Sequence, residues 1–192
     1  MAEVLPTTHD PERVSSLHRS LAELVAGLQA LPAPPRDSGR LMLIVCRPAP
    51  GVHEALDRAR LTPEEGVPGD EWNRRPPLNP DAQLTVIRRD VAELICHGQP
   101  LTLPGDNLLV DLDISAANLP VGARLRVGAA VVEMSPKPHN GCLKFQARFG
   151  HDAFRFVQAP ATRDQNLRGI YWRVIEPGEV TVGAPIQVIS RP

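Results

Sequence analysis

The stretch Gly169-Ile170-Tyr171-Trp172-Arg173-Val174-Ile175, then Glu176-Pro177-Gly178-Glu179, then Val180-Thr181-Val182 and Ile186-Gln187-Val188-Ile189, decides the fold class. Apolar and polar residues alternate along it at the two-residue period of half-buried strands. Glu176-Pro177-Gly178-Glu179 reads as a tight turn joining two of these strands. Proline presets the backbone there, and glycine supplies conformations that other residues avoid.

The same signature recurs upstream. Arg40-Leu41-Met42-Leu43-Ile44-Val45-Cys46 is a buried-strand run, and Gln83–Ile87, Leu108–Val110, Ala123–Val127 and Ala130–Met134 are further strands. Asp90–Ile95 reads as a short capped helix, and residues 47–82, rich in Pro, Gly and acid, as loops with at most one short helix near Glu54–Ala59. Many short strands joined by Gly/Pro turns predict a mainly β fold, a β-barrel with α insertions. Ahead of it, Asp10-Pro11-Glu12 is a helix-start signal: a capping carboxylate, a proline at the first helical position and an acid in the first turn. Val14, Leu17, Leu21, Leu24, Val25, Leu28 and Leu31 follow on one face, until Pro32 stops the helix. The expected organisation is an N-terminal helical appendage over residues 1–39 and a barrel domain over residues 40–192. The helix stripe packs on the barrel or, alternatively, forms a homodimer contact.

Composition narrows the function. The chain has 192 residues, 42% hydrophobic and only 4% aromatic, so Val, Leu, Ile and Ala must build its core. A net charge of −1 argues against a general nucleic-acid binder. Charge is uneven, however. Lys137, Lys144, Arg148, Arg155, Arg163, Arg168 and Arg173 face only Asp152 and Asp164 within that span, a local basic field suited to an anionic small ligand or simply to water. The three cysteines, Cys46, Cys96 and Cys142, show no CxxC or zinc-ligand spacing. Met1–Asp10 has neither the basic start nor the apolar stretch of a signal peptide, and no apolar run is long enough for a membrane span. The expectation is a cytoplasmic protein without nucleic-acid or membrane partners.

The chemistry concentrates in Pro138-His139-Asn140-Gly141-Cys142-Leu143-Lys144-Phe145-Gln146-Ala147-Arg148-Phe149-Gly150. Asn140 is the expected N-cap of a helix from Gly141 to about Phe149, with Cys142 in its first turn, where open amides favour a thiolate. The alternative is a small buried hydrophobe, as Cys46 and Cys96 are expected to be. Helical spacing sets Phe145 and Phe149 on the side of Cys142 and turns Lys144 and Arg148 away, toward a large anion or toward water. His139 reads either as an acid, base or hydrogen-bond donor near the thiol, or as an exposed loop histidine. Trp72 lines a pocket or packs in the barrel.

This segment resembles the cysteine segment of the MOSC family, the domain at the C-terminus of molybdenum cofactor sulfurases. Other stretches agree in order: Gly66-Val67-Pro68-Gly69-Asp70 with Trp72, Gln83–Ile87, Gly105-Asp106-Asn107-Leu108 (Asp106 where Glu is usual), Val121–Gly128, Arg168-Gly169-Ile170-Tyr171 and Val180–Gly183. The similarity spans about residues 40–190 and implies a MOSC-type β-barrel with short helices, the N-terminal helix lying outside it. It further implies that Cys142 carries sulfur as a persulfide or ligates molybdenum in a pterin cofactor (molybdopterin), which reduces N-hydroxylated compounds. By the resemblance, His139 stands beside that cysteine as a catalytic residue, Asn107, Asn140, Lys144 and Arg168 surround the ligand, and Asp70 fixes a turn. No pyridoxal-phosphate-dependent desulfurase or electron-transfer segment is recognisable, so a separate desulfurase as sulfur donor and an outside redox partner are expected. A ligand-binding or assembly module without turnover is the remaining reading.

Overall fold

The computed structural model describes residues 7–9, 15–74 and 76–192. In chain order its elements are β1 (Thr7–His9), α1 (Leu21–Ala30), β2 (Ser38–Ala49), β3 (Val52–Leu56), β4 (Arg58–Leu61), β5 (Leu84–Arg88), α2 (Arg89–Cys96), β6 (Leu108–Asp111), β7 (Arg124–Val127), β8 (Ala130–Met134), α3 (Leu143–Val157), β9 (Ile170–Glu176), β10 (Gly178–Thr181) and β11 (Pro185–Ser190). Seven strands close into a barrel in the order β2-β11-β7-β8-β9-β5-β6, with β6 returning to β2. All of these pairs are antiparallel except β5–β6, whose parallel register (Val86 opposite Leu108) requires a crossover, and α2 supplies it.

Alternation sets which side chains fill the barrel. On β7, Leu125 and Val127 are buried between exposed Arg124 and Arg126, and on β9, Ile170, Trp172 and Val174 point inward. β5 and β8 are buried at every position, as strands covered on both faces must be. A second core lies outside the barrel, where Leu24 of α1 meets Val91 and Ile95 of α2 and Phe145, Phe149 and Phe156 of α3. All four phenylalanines of the chain sit on α3. Apart from fully buried Trp172, the barrel core is packed with aliphatics and Met134, and the phenylalanines fasten the helix that follows the cysteine.

Several expectations are corrected. The signal at Asp10-Pro11-Glu12 lies outside the described residues. The stripe does not run as one helix: Ser15–Leu17 form a 3₁₀ turn, and α1 begins after Ser20, whose hydroxyl accepts from Glu23 N–H while Glu23 reaches back to the cap. Part of the stripe packs on α2 and α3, with Leu24 fully buried and Leu21, Leu28 and Leu31 partly buried there, while Val25 is exposed. Residues 54–59 contain no helix. Apart from Asp57 at the bend between them, they lie in β3, paired with β2, and in β4, paired with β10, because cross-strand hydrogen bonding outweighs local helix preference. Pro177 does separate β9 from β10, but β10 turns away to pair with β4.

Candidate functional site

Cys142 is the N-cap of α3, and its carbonyl accepts the Gln146 N–H at 3.0 Å. The cap is therefore Cys142 and not Asn140, and the helix starts two residues later than the sequence predicts. Gly141 explains the shift: a Cβ there would stand 3.1 Å from the Phe154 ring and 3.4 Å from Val157, so the loop lies flat on the far half of α3. That half is redirected by a break at Gly150 (φ 88°, ψ 170°), where the His18 ring packs and accepts no side chain in glycine's place. The His18 Nε2 hydrogen-bonds the Arg148 carbonyl at 2.9 Å, and Leu21 N–H donates to Asp152 at 3.1 Å. The N-terminal segment thus clamps α3 at its break.

Because Cys142 is a cap residue, helical spacing does not extend to it. Lys144 and Arg148, expected on the opposite side, line the same cleft as the thiol. The cleft encloses about 290 Å³ and takes its wall from β2, β3, β5, β9, α3 and the loops before β6 and β9. Among the described residues, four cations line it (Arg47, Lys144, Arg148 and Arg168) against a single lining carboxylate, Glu71. Cys142 is exposed, whereas Cys46 and Cys96 are sealed in the core, where burial pushes their thiols up to about 11 and about 12.

Two buried carboxylates hold this field in place. Asp70, 1% exposed, accepts from the Arg47 backbone N–H at 2.8 Å and its guanidinium at 2.9 and 2.6 Å, from Trp72 N–H at 3.0 Å and from Asn107 Nδ2 at 3.0 Å. Asn107 is wholly buried: its amide oxygen accepts from Arg47 and from Thr85 N–H and hydroxyl, and its amide nitrogen also donates to the Val45 carbonyl. Its hydrogen-bonding capacity is filled internally. Asn107 therefore holds Arg47 and Asp70 from beneath and does not line the cleft, where a ligand contact was expected.

Asp106, fully buried, accepts from Arg168 Nη1 through both oxygens, at 2.9 and 2.8 Å. The Arg168 guanidinium lies 4.9 Å from the centre of the Phe145 ring, tying the barrel loop to α3. His139 Nδ1 stands 3.7 Å from the same carboxylate, outside hydrogen-bond distance, and its ring lies 4.6 Å from that of Tyr171. Burial, together with Arg168, Arg47 and Lys137, holds the imidazole well below its ordinary value, so it is neutral at pH 7. Burial likewise raises the Tyr171 phenol, which keeps its proton.

The MOSC domain family model matches residues 70–187 of this chain. The chain belongs to the MOSC domain family. Solved structures agree on the fold: YiiM from Escherichia coli (23% identity, TM-score 0.53, covering 80% of this chain and 71% of that one) and the YuaD protein from Bacillus subtilis (16% identity, TM-score 0.56, covering 83% and 100%). YiiM from Geobacillus stearothermophilus superposes comparably, with 16% identity and a TM-score of 0.53 over 80% of this chain and 76% of that one. No curated protein matches the sequence.

Within this MOSC barrel, Cys142, His139, Lys144 and Arg168 meet at one cleft, but Asn140 lines a neighbouring cavity behind the cysteine loop. Sequence reading missed Arg47, Tyr171 and the role of Asp106. Asp106 and Tyr171 stood inside quoted family stretches, while Arg47 followed a buried strand with no local signal. Trp72 lines the adjoining groove, its indole N–H donating to the Asn79 carbonyl at 3.2 Å. Among the described residues no helix is long and apolar enough to cross a membrane.

The Asp70 cluster gives a pH prediction. Burial raises the Asp70 carboxyl, but the hydrogen bonds and charge of Arg47, with two backbone N–H groups, bring it below the ordinary carboxylate range. This group's stabilisation is complete above its unfolded value of about 3.9 and is lost as pH falls through the lower folded value. Urea unfolding should show Asp70→Asn less stable than the parent at pH 6, with the gap narrowing below about pH 4. A gap constant down to pH 3 would refute the assignment.

Proposed function

We propose that this MOSC barrel binds an anionic molybdenum–pterin cofactor in the Cys142 cleft, Cys142 being the metal's thiolate ligand. One observation carries the reading: the only exposed cysteine among the described residues shares a cleft with four cations and one lining carboxylate. Thiolate is a soft ligand of the kind redox metals take. The guanidinium groups of Arg47, Arg148 and Arg168 and the Lys144 ammonium offer N–H donors to a phosphate, the charges of Arg47 and Arg168 being matched already by buried Asp70 and Asp106. When bound, such a cofactor supplies two-electron reduction, here of an N-hydroxylated compound. The chain's own part is positional. Arg47 is held by Asp70 and Asn107, and Arg168 by Asp106. Neutral His139 and the protonated Tyr171 phenol line the cleft and can offer hydrogen bonds to a reacting group.

Protein purified from cells supplied with molybdate should contain stoichiometric molybdenum and pterin, both lost in Cys142→Ser. Wild-type protein lacking both, or a Cys142→Ser protein retaining both, would overturn this reading.

The exposure of Cys142 at a helix end also supports a second reading, sulfur carriage. The thiolate attacks the outer sulfur of a donor persulfide, a new S–S bond forms at Cys142, and the donor leaves as its thiolate. A one-sulfur mass gain on metal-free protein after treatment with a desulfurase and cysteine, absent in Cys142→Ser, favours this reading over the first.

A further inference from the structure

We infer that the cavity behind the cysteine loop is a second binding site, built for a small organic monoanion such as a carboxylate with an apolar body. The cavity encloses about 290 Å³, a volume at the small end of ligand pockets. His139 and Arg168 form the wall it shares with the thiol cleft, and Asn140 continues that wall. Its other sides are the end of α3, through Val157 and Gln158, and the turn that carries Arg163.

Among the described residues no carboxylate lines this cavity, whereas guanidinium and amide groups do. The charge of Arg168 is already matched by buried Asp106. Arg163, exposed at the rim, has no ion-pair partner among the described residues. One unmatched cation calls for a single negative charge rather than two. Asn140 and Gln158 add neutral hydrogen-bonding groups, and Val157 and Leu167 supply an apolar surface. An anionic head at Arg163 with an apolar body over Val157 and Leu167 matches the exposed cation and the apolar part of the lining.

The rim is also preorganised. Pro160–Gln165 form a 3₁₀ turn capped by Asn166 in the left-handed conformation (φ 53°). The Asn166 side chain donates to the Ile114 carbonyl at 2.8 Å, and the Asp164 carbonyl accepts Ala116 N–H at 2.8 Å. Both bonds fasten the turn to the barrel before any ligand arrives, which lowers the ordering cost of binding.

The test is a titration of the full-length ¹⁵N-labelled protein with benzoate and, separately, with inorganic phosphate, followed by amide shifts. Benzoate should give saturable shifts at Asn140, Gln158 and Asn166, and phosphate should bind more weakly. Arg163→Gln should weaken benzoate roughly tenfold or more, the size of one lost charge-assisted hydrogen bond, while Cys142→Ser leaves it unchanged. Absence of saturable benzoate shifts, equal affinity in Arg163→Gln, or shifts centred on Lys144 and Arg148 would each overturn the assignment. These outcomes do not depend on molybdenum content, so the two proposals fail separately.

Discussion

Replacing Asp106 by alanine is expected to cost about 3–5 kcal/mol, the usual penalty for leaving a buried partner charge uncompensated. Arg168 is 7% exposed and donates to both Asp106 oxygens, so it loses its counter-ion without gaining water. For a domain whose total stability is about 5–15 kcal/mol, that is a large fraction. The double variant Asp106→Leu/Arg168→Met should be more stable than either single variant, since paired apolar groups leave nothing unsatisfied. Denaturant unfolding of the parent, Asp106→Leu, Arg168→Met and the double variant measures the coupling. A single-variant loss below about 1 kcal/mol would show that water or a neighbour compensates Arg168, and the account of the buried pair would be wrong.

The next largest effect is expected at Gly169, one residue further along. Its φ of 101° lies in a region that side-chain-bearing residues rarely adopt, and a Cβ would stand 2.3 Å from the Val86 carbonyl oxygen and 3.3 Å from His139 Nδ1. The obstacle is backbone of β5, in register with the start of β9, so it cannot swing aside. Gly169→Ala therefore combines backbone strain of about 1–3 kcal/mol with an overpacking cost of similar size. Gly183→Ala isolates the first contribution, since Gly183 has φ 88° and a methyl group there would meet nothing within 4 Å. Thermal melts should rank parent, Gly183→Ala and Gly169→Ala in falling order. Equal losses for the two variants would mean that the β5 carbonyl and His139 do not restrict this position.

How much could be read in advance differs by element. The alternating β7 and β9 were legible because inward and outward residues differ in polarity, and β8 because it is a nearly continuous apolar run. β4 carries the same signal, with Ala59 and Leu61 buried between exposed Arg58 and Arg60, but four residues within a stretch rich in Glu and Ala do not separate strand from helix. The cap at Cys142 was displaced from Asn140 by the contact of Gly141 with Phe154, which local propensity does not contain. The expectation that Lys144 and Arg148 turn away from Cys142 failed because it extended helical periodicity across the cap.

The sequence alone determined a barrel of short strands, the family to which the domain belongs, and the cysteine segment at which chemistry concentrates. Tertiary structure decided the rest. It brought Asp106 to Arg168 across 62 residues, set neutral His139 beside that pair, and sealed Asn107 beneath the cleft. Periodicity encodes which face of a strand is buried, whereas the partner of a buried charge is chosen only when the barrel closes and distant loops meet at its rim.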